Sequence, residues 1–164
     1  GYYRSHLVVR ADDPRPEVTA FDGAALAFNE ASSQSGWAAV HAHARALDIT
    51  LRPAVVSGSH LASARAVAEG RADIAAIDAM SWILMRRHDP FTEELRVIGS
   101  TAPTPGLPLI TGRHRDAVLI ADAVEQAIAA LSPQDRGTLR LRGLVRIPKA
   151  DYLALPLPPD PAIS

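Results

Sequence analysis

Between residues 24 and 88 the chain changes hydrophobic period three times in the same order, and this limits the folds open to it. "AALAF" (24–28) is a short apolar run bounded by turn residues, the pattern of a buried strand. From Trp37 the apolar residues fall at Trp37, Val40, Ala44 and Leu47, one face of a helix. "LRPAVVS" (51–57) reads as a strand and "SHLASARAVAEG" (59–70) as a helix, with Leu61, Ala64, Val67 and Ala68 on one face. "ADIAAID" (72–78) and "AMSWILMRRH" (79–88) repeat the pair. Strands joined through single helices lie parallel in one sheet, with the helices packed on it. The expected class is α/β.

The flanks add strands and helices of a less regular order. "SHLVVR" (5–10) is apolar and rich in branched residues, hence a strand, and "ADDPRPEV" after it is a loop. "ELRVIGSTA" (94–102) and "LPLITG" (107–112) read as strands around the turn "PTPG". A helix is predicted over 117–131, and Ser132 with Pro133 marks the start of another. The tail "LPLPPDPAIS" is proline-rich and expected to be extended or disordered. At 164 residues, 48% apolar and 21% charged, the chain can build one domain or two small lobes. The opening "GYYRSHLVVR" runs almost at once into a strand, as in a mature chain or a fragment.

Composition removes several function classes. The net charge is −1, 5% of residues are aromatic and no basic run exists, so no nucleic-acid partner is expected. No cysteine is present, which excludes disulfides and thiolate chemistry without selecting a compartment. No apolar run approaches the roughly 18 residues of a membrane span, and no secretory signal is visible.

In a parallel α/β sheet, ligands bind beyond the carboxyl ends of the strands. Three junctions fall there: "NEASSQSG" (29–36), "SGSH" (57–60) and "DAMS" (78–81). Each leads into a helix, whose first N–H groups and partial positive charge favour an anion. Hydroxyls at Ser33, Ser35 and Ser59 add donors, and Gly36 and Gly58 allow close approach of a ligand to the backbone. Asp78 repels anions and suits an amine or a hydroxyl. Each of these residues also fits a plain role as a helix N-cap, Asp78 by capping at Ser81, and His60 equally suits a surface position. Trp37 and Trp82 fit packing roles, and His88 and His114 lie in polar, solvated surroundings. His41 and His43 point to different sides of a helix, and no spacing fits zinc, so no metal and no cofactor are expected. Ser59, His60 and Asp78 are the right types for a catalytic triad. No G-x-S-x-G elbow supports one, and no glycine-rich phosphate loop occurs. No catalytic residue is assigned.

Taken in order, "YYRSHLVVR", "FNEASSQSGW", "VVSGSHLASARAVAEGRADIAAIDAMSW" and "LRVIGSTAPTPGLPLITG" resemble the phosphonate/phosphate-type solute-binding proteins of ABC transporters. The resemblance covers residues 2–112 well and the C-terminal helices loosely. It implies a type II periplasmic-binding-protein fold: a three-layer αβα lobe over residues 12–98, with 1–11 and 99–164 as hinge strands and part of a second lobe. Part of the N-terminal lobe is then missing. The resemblance further implies that Ser33, Ser35 and Gly36 cradle a small oxyanion, and that His60 and Ser59 meet it from the second junction. Asp78 would hold an amine or hydroxyl, and Tyr3 would stand at the cleft wall. The implied protein is a monomer outside the cytoplasm that delivers a small anionic ligand to a transporter permease by lobe closure, without chemistry. A cytoplasmic setting stays open, as do an enzyme on the same fold and a ligand-sensing module.

Overall fold

The computed structural model describes residues 1–158 and 160–161. Two compact units are formed, one by Tyr2–Thr104 with the segment from Leu155, the other by Gly1 and Pro105–Ala154.

The first unit is built on a five-stranded sheet. Its strands are β2 (Ser5–Arg10), β3 (Ala25–Phe28), β4 (Arg52–Val56), β5 (Ile74–Asp78) and β6 (Leu95–Ser100), in the order β4-β3-β5-β2-β6. β3 is parallel to both β4 and β5, as the strand–helix alternation predicts. β2 departs from that frame and runs antiparallel to β5 and to β6. The sheet is therefore mixed. The pairing Ser5↔Asp78 starts β2 where β5 ends. Hence the residues just before β2 lie at the same sheet edge as the strand–helix junctions.

Both faces of the sheet are covered, and the pleat divides its side chains into two cores. Leu7, Val9, Leu26, Phe28 and Ile74 pack with Trp37, Val40 and Phe21 on one face. Val8, Ala27, Ala75 and Ile77 pack with Ala64, Val67, Trp82 and Met85 on the other. Helix α1 (Ala39–Ala46) thus serves the first layer, and α2 (His60–Ala68) and α3 (Ala79–His88) the second. Leu7, Val8 and Val9 are all 0% exposed, which explains why β2 shows no alternation in sequence. Trp37 and Trp82 are core residues, Trp37 lying 5.0 Å from Phe28 by ring centroids. His88 and His114 are exposed.

At the opposite end of β3 and β5 an ion cluster closes the sheet. Arg15 Nη2 donates to Asp13 (2.6 Å) and to Asp73 (3.0 Å), and its guanidinium lies 3.8 Å from the centre of the Phe21 ring. Arg96 Nη2 donates to the Asp13 and Arg15 carbonyls. The proline-containing loop after β2 is fixed by these contacts.

The short strands β1 (Tyr2–Tyr3) and β7 (Thr104–Pro105) pair with each other. The second unit holds α4 (Ala117–Ala130), α5 (Pro133–Leu139) and a further short helix α6 (Lys149–Leu153). Asp116 caps α4 through the Val118 and Leu119 N–H groups, and Ser132 caps α5, as its placement before Pro133 predicts. "LPLITG" is not a strand. Apolar content marks it as one, yet a strand needs a hydrogen-bonded neighbour, and none pairs with 107–112 among the described residues. Leu107 and Ile110 are 88% and 89% exposed. Residues 155–158 and 160–161 form no helix or strand, and the rest of the proline-rich tail lies outside the described residues.

Candidate functional site

The chain between β3 and α1 winds with one residue too many for an ordinary helix. Gln34–Ala38 is a π-helical turn, and the Ser33 carbonyl accepts from both Trp37 N–H (3.2 Å) and Ala38 N–H (3.0 Å). Such turns occur at functional sites more often than by chance. Ser33 is buried, and its Oγ accepts from Gly36 N–H at 3.0 Å. Gly36 is buried against Asn29, and a Cβ there would overlap Asn29 Oδ1. The glycine is required by that contact, and Asn29 Oδ1 is buried with no hydrogen bond.

Ser35 is the meeting point. Its Oγ lies 2.8 Å from His60 Nε2, and it shares a hydrogen bond with the Tyr3 hydroxyl, which also bonds Thr104. Its carbonyl accepts from Ser5 Oγ at 2.8 Å. Ser5 is almost wholly buried, and Thr101 Oγ1 accepts its N–H at 3.0 Å. Residues separated widely in sequence converge here because β2 runs antiparallel to β5 and so brings Tyr3 and Ser5 to the junction edge.

The second junction is shaped by Gly58, whose φ of +82° favours glycine. Its N–H donates to the Asn29 carbonyl at 3.0 Å, and Ser57 N–H donates to the Phe28 carbonyl, so the first two junctions are tied together by backbone. Ser59 caps α2 by accepting from Ala62 N–H at 3.1 Å, and its side chain stands in solvent. No described contact joins it to Ser35. His60 follows as the first residue of α2 and is half-buried, not a free surface residue.

Asp78 ends β5 and caps α3, its Oδ1 accepting from Ser81 N–H at 2.8 Å. The plain capping role is therefore filled by Ser33, Ser59 and Asp78 alike. The caps leave the earliest N–H groups of these turns without intrahelical acceptors.

The electrostatics of this edge are set by burial and by the Asp78 charge. Burial lowers the pKa of His60, against the opposing pull of Asp78 and of the Ala76 carbonyl. His60 Nδ1 is buried, and the Ala76 carbonyl is the backbone group that bears on the ring. Burial raises the Tyr3 phenol, the Ser35 hydrogen bond opposes it and the Asp78 charge adds to it. His6, beside the site, is held down by burial and by Arg4, and its Nδ1 lies 2.9 Å from Ser100 Oγ. The structure thus joins Tyr3, Ser35 and His60 directly, and places Asp78 close enough to act on Tyr3 and His60. Sequence reasoning missed Ser5, Asn29 and Thr104. Asn29 opens the hydroxyl-rich stretch itself, whereas nothing local marks Ser5 or Thr104. Among the described residues no group of three side chains is placed to hold a metal ion, and no helix is long and apolar enough to cross a membrane.

Comparison with known proteins agrees with this architecture. Residues 1–152 match the family described as "ABC transporter, phosphonate, periplasmic substrate-binding protein". No curated protein matches the sequence. Among solved structures, XAC2383 from Xanthomonas citri, bound to ATP, superposes with a TM-score of 0.66 at 21% identity, over 94% of this chain and 63% of that one. PhnD1 from Prochlorococcus marinus (MIT 9301), in complex with methylphosphonate, superposes with a TM-score of 0.58 at 19% identity, over 63% of this chain and 42% of that one. The chain therefore spans less than two thirds of the length of these proteins, and the likeness establishes the fold, that of type II periplasmic binding proteins. With its family match running from the first residue to Tyr152, the chain belongs to the periplasmic substrate-binding proteins of phosphonate ABC transporters.

Proposed function

We propose that this chain is the anion-seating part of a solute-binding protein, which captures a small oxyanion such as a phosphonate or phosphate and hands it to a transporter permease outside the cytoplasm. The observation that carries the reading is the Tyr3–Ser35–His60 hydrogen-bonded group at the sheet edge where three helices start. The donors are neutral or weakly basic, and none is Lys or Arg. Such a site holds an oxyanion by hydrogen bonds and helix ends and lets it leave again, as delivery requires. Ser33 and Gly36 set the backbone of the seat, Ser35 and Tyr3 supply hydroxyls, and Asp78 receives an amine or hydroxyl of the ligand. Ser59 contributes by starting α2, which presents His60. Differential affinity drives closure of the lobes, and no bond is made or broken.

The reading is tested by adding methylphosphonate or inorganic phosphate to the intact protein and following thermal unfolding. Ligand at a hundred times its Kd adds about 2.7 kcal/mol of apparent stability. Ser35→Ala should remove most of that shift. An unchanged shift in Ser35→Ala places the anion elsewhere.

The 2.8 Å contact between Ser35 and His60 also fits a second reading, an enzyme with a serine nucleophile and histidine base. Among the described residues no carboxylate hydrogen-bonds the Nδ1 atom that such a mechanism would orient, which weighs against it. Mass spectrometry decides: a covalent adduct on Ser35 after incubation with an activated ester, or turnover of a bound anion, favours the enzyme.

A further inference from the structure

We infer that a pocket beneath α1, apart from the proposed anion seat, binds the ring of a small aromatic carboxylate, with Arg45 receiving the carboxylate at its mouth. The pocket holds about 150 Å³. Its wall is formed by Leu26 of β3, by Trp37, Val40 and Ala44 along α1 and the turn before it, and by Ile49 and Leu51 of the loop that leads to β4. An apolar cavity of about this size accepts a benzene ring. None of Tyr3, Ser35, His60 or Asp78 lines the pocket, so the inference stands apart from the solute-binding reading.

The space exists because α1 is rich in alanine. Ala44 is buried and offers one methyl group where the opposite wall offers Leu26 and Leu51. The loop cannot collapse into the gap, because its backbone is pinned. Ile49 N–H donates to the Ala44 carbonyl, Gly23 N–H to the Thr50 carbonyl and Arg52 N–H to the Ala24 carbonyl. Thr50 N–H donates to Asp22 Oδ1 at 2.8 Å. Water is a poor filler: an enclosed water needs about two to four polar partners, and Leu26, Val40, Ala44, Ile49 and Leu51 offer carbon alone.

The mouth is polar. It is formed by the exposed Arg45 and Thr50 and the half-buried His41. The His41 ring stands edge-on to Trp37, with 5.5 Å between ring centroids. Burial and the Arg45 charge lower the His41 pKa, so the ring is neutral at pH 7. Arg45 is then the one charged lining residue, and no ion pair joins it to a carboxylate among the described residues. An apolar pocket with a single cation at its mouth suits a ring that carries an anion at one end, since guanidinium and carboxylate match in shape and charge.

The experiment follows the indole N–H signals of Trp37 and Trp82 by NMR in the full chain while benzoate is added, with benzyl alcohol as the uncharged counterpart. The two tryptophans pack on opposite faces of the sheet. Benzoate should shift the Trp37 signal and leave that of Trp82 in place, with a Kd of about 1 mM, the level expected of so small a ligand. Arg45→Gln should weaken benzoate about fivefold, the upper range for an exposed ion pair, and leave benzyl alcohol unchanged. Ala44→Leu fills the pocket and should abolish the response to both ligands while keeping or raising the unfolding midpoint. Ser35→Ala should keep the whole benzoate response. A Trp37 signal that does not move, or a response that survives Ala44→Leu, overturns the inference. So does a response lost in Ser35→Ala, which puts benzoate in the anion seat. Equal losses of benzoate and benzyl alcohol in Arg45→Gln overturn the anionic class and the inference with it. Where Ala44→Leu fails to fold, the Arg45→Gln comparison decides alone.

Discussion

At the scale of single residues the site is a set of atoms with few spare valences, and small changes should have separable effects. Gly36→Ala drives a methyl group into Asn29, so it should destabilise the fold by about 1–3 kcal/mol, as overpacking does, and lower anion affinity. Urea unfolding and calorimetry on the same preparation check both. Asp78→Asn keeps a side chain able to cap α3 but removes the charge. It should weaken an amine-bearing phosphonate at least tenfold, about 1.4 kcal/mol, relative to methylphosphonate. Equal changes for the two ligands would remove Asp78 from the role of amine acceptor. How far these residues were legible differs by position. Ser33, Ser35 and Gly36 announce themselves, because hydroxyls and a glycine crowd one junction. The Ser35–His60 contact spans 25 positions and depends on how α1 and α2 start, which no local pattern encodes. Ser59 shows the converse: its cap role and its candidacy as a ligand contact look identical in sequence, and the structure records the cap.

At the scale of elements, period and length reveal what each segment is, and pairing direction stays hidden. The repeated strand–helix units were readable because apolar spacing changes from strand-like to helical. β2 carries no sign of running antiparallel, since a strand buried on both faces reads the same either way. "LPLITG" has strand composition without a paired neighbour. The π-helical turn at Gln34–Ala38 was likewise invisible, being one residue of excess winding. Deleting Gln34 should restore ordinary helical winding and turn Ser35 by about 100° from its present direction. Oxyanion binding should then be lost while the circular dichroism of the helices is kept. The ion cluster at the far end of the sheet makes a different prediction. The Arg15 guanidinium holds the Asp13 carboxyl down to about 2, burial opposing. A carboxylate depressed in the folded state stabilises above its unfolded pKa, and the benefit disappears as pH falls through the folded value. Stability should therefore decline between about pH 4 and pH 2. Asp13→Asn should flatten that part of the acid-unfolding curve and be less stable at neutral pH.

At the scale of the molecule, the alternation in residues 24–88 determines the class, and the flanking strands determine where a ligand can be felt. Ser5 N–H donates to Thr101 Oγ1, and Thr101 N–H donates to the Ser5 carbonyl at 2.9 Å, so the chain's way into β2 and its way out of β6 are bolted to each other. Tyr3 and Thr104 lie just outside that bolt, joined by a side-chain hydrogen bond. Both covalent exits from the five-stranded sheet thus leave through the wall that the candidate anion would touch. An occupant that grips Tyr3 and Ser35 must slow the opening of this pair of exits. Amide exchange at Tyr3, Ser5, Thr101 and Thr104 should fall on adding methylphosphonate, while exchange around Asp13 at the far end stays unchanged. The hydroxyls proposed to seat the solute would then double as a gauge of occupancy, read out by the two strands that carry the chain away.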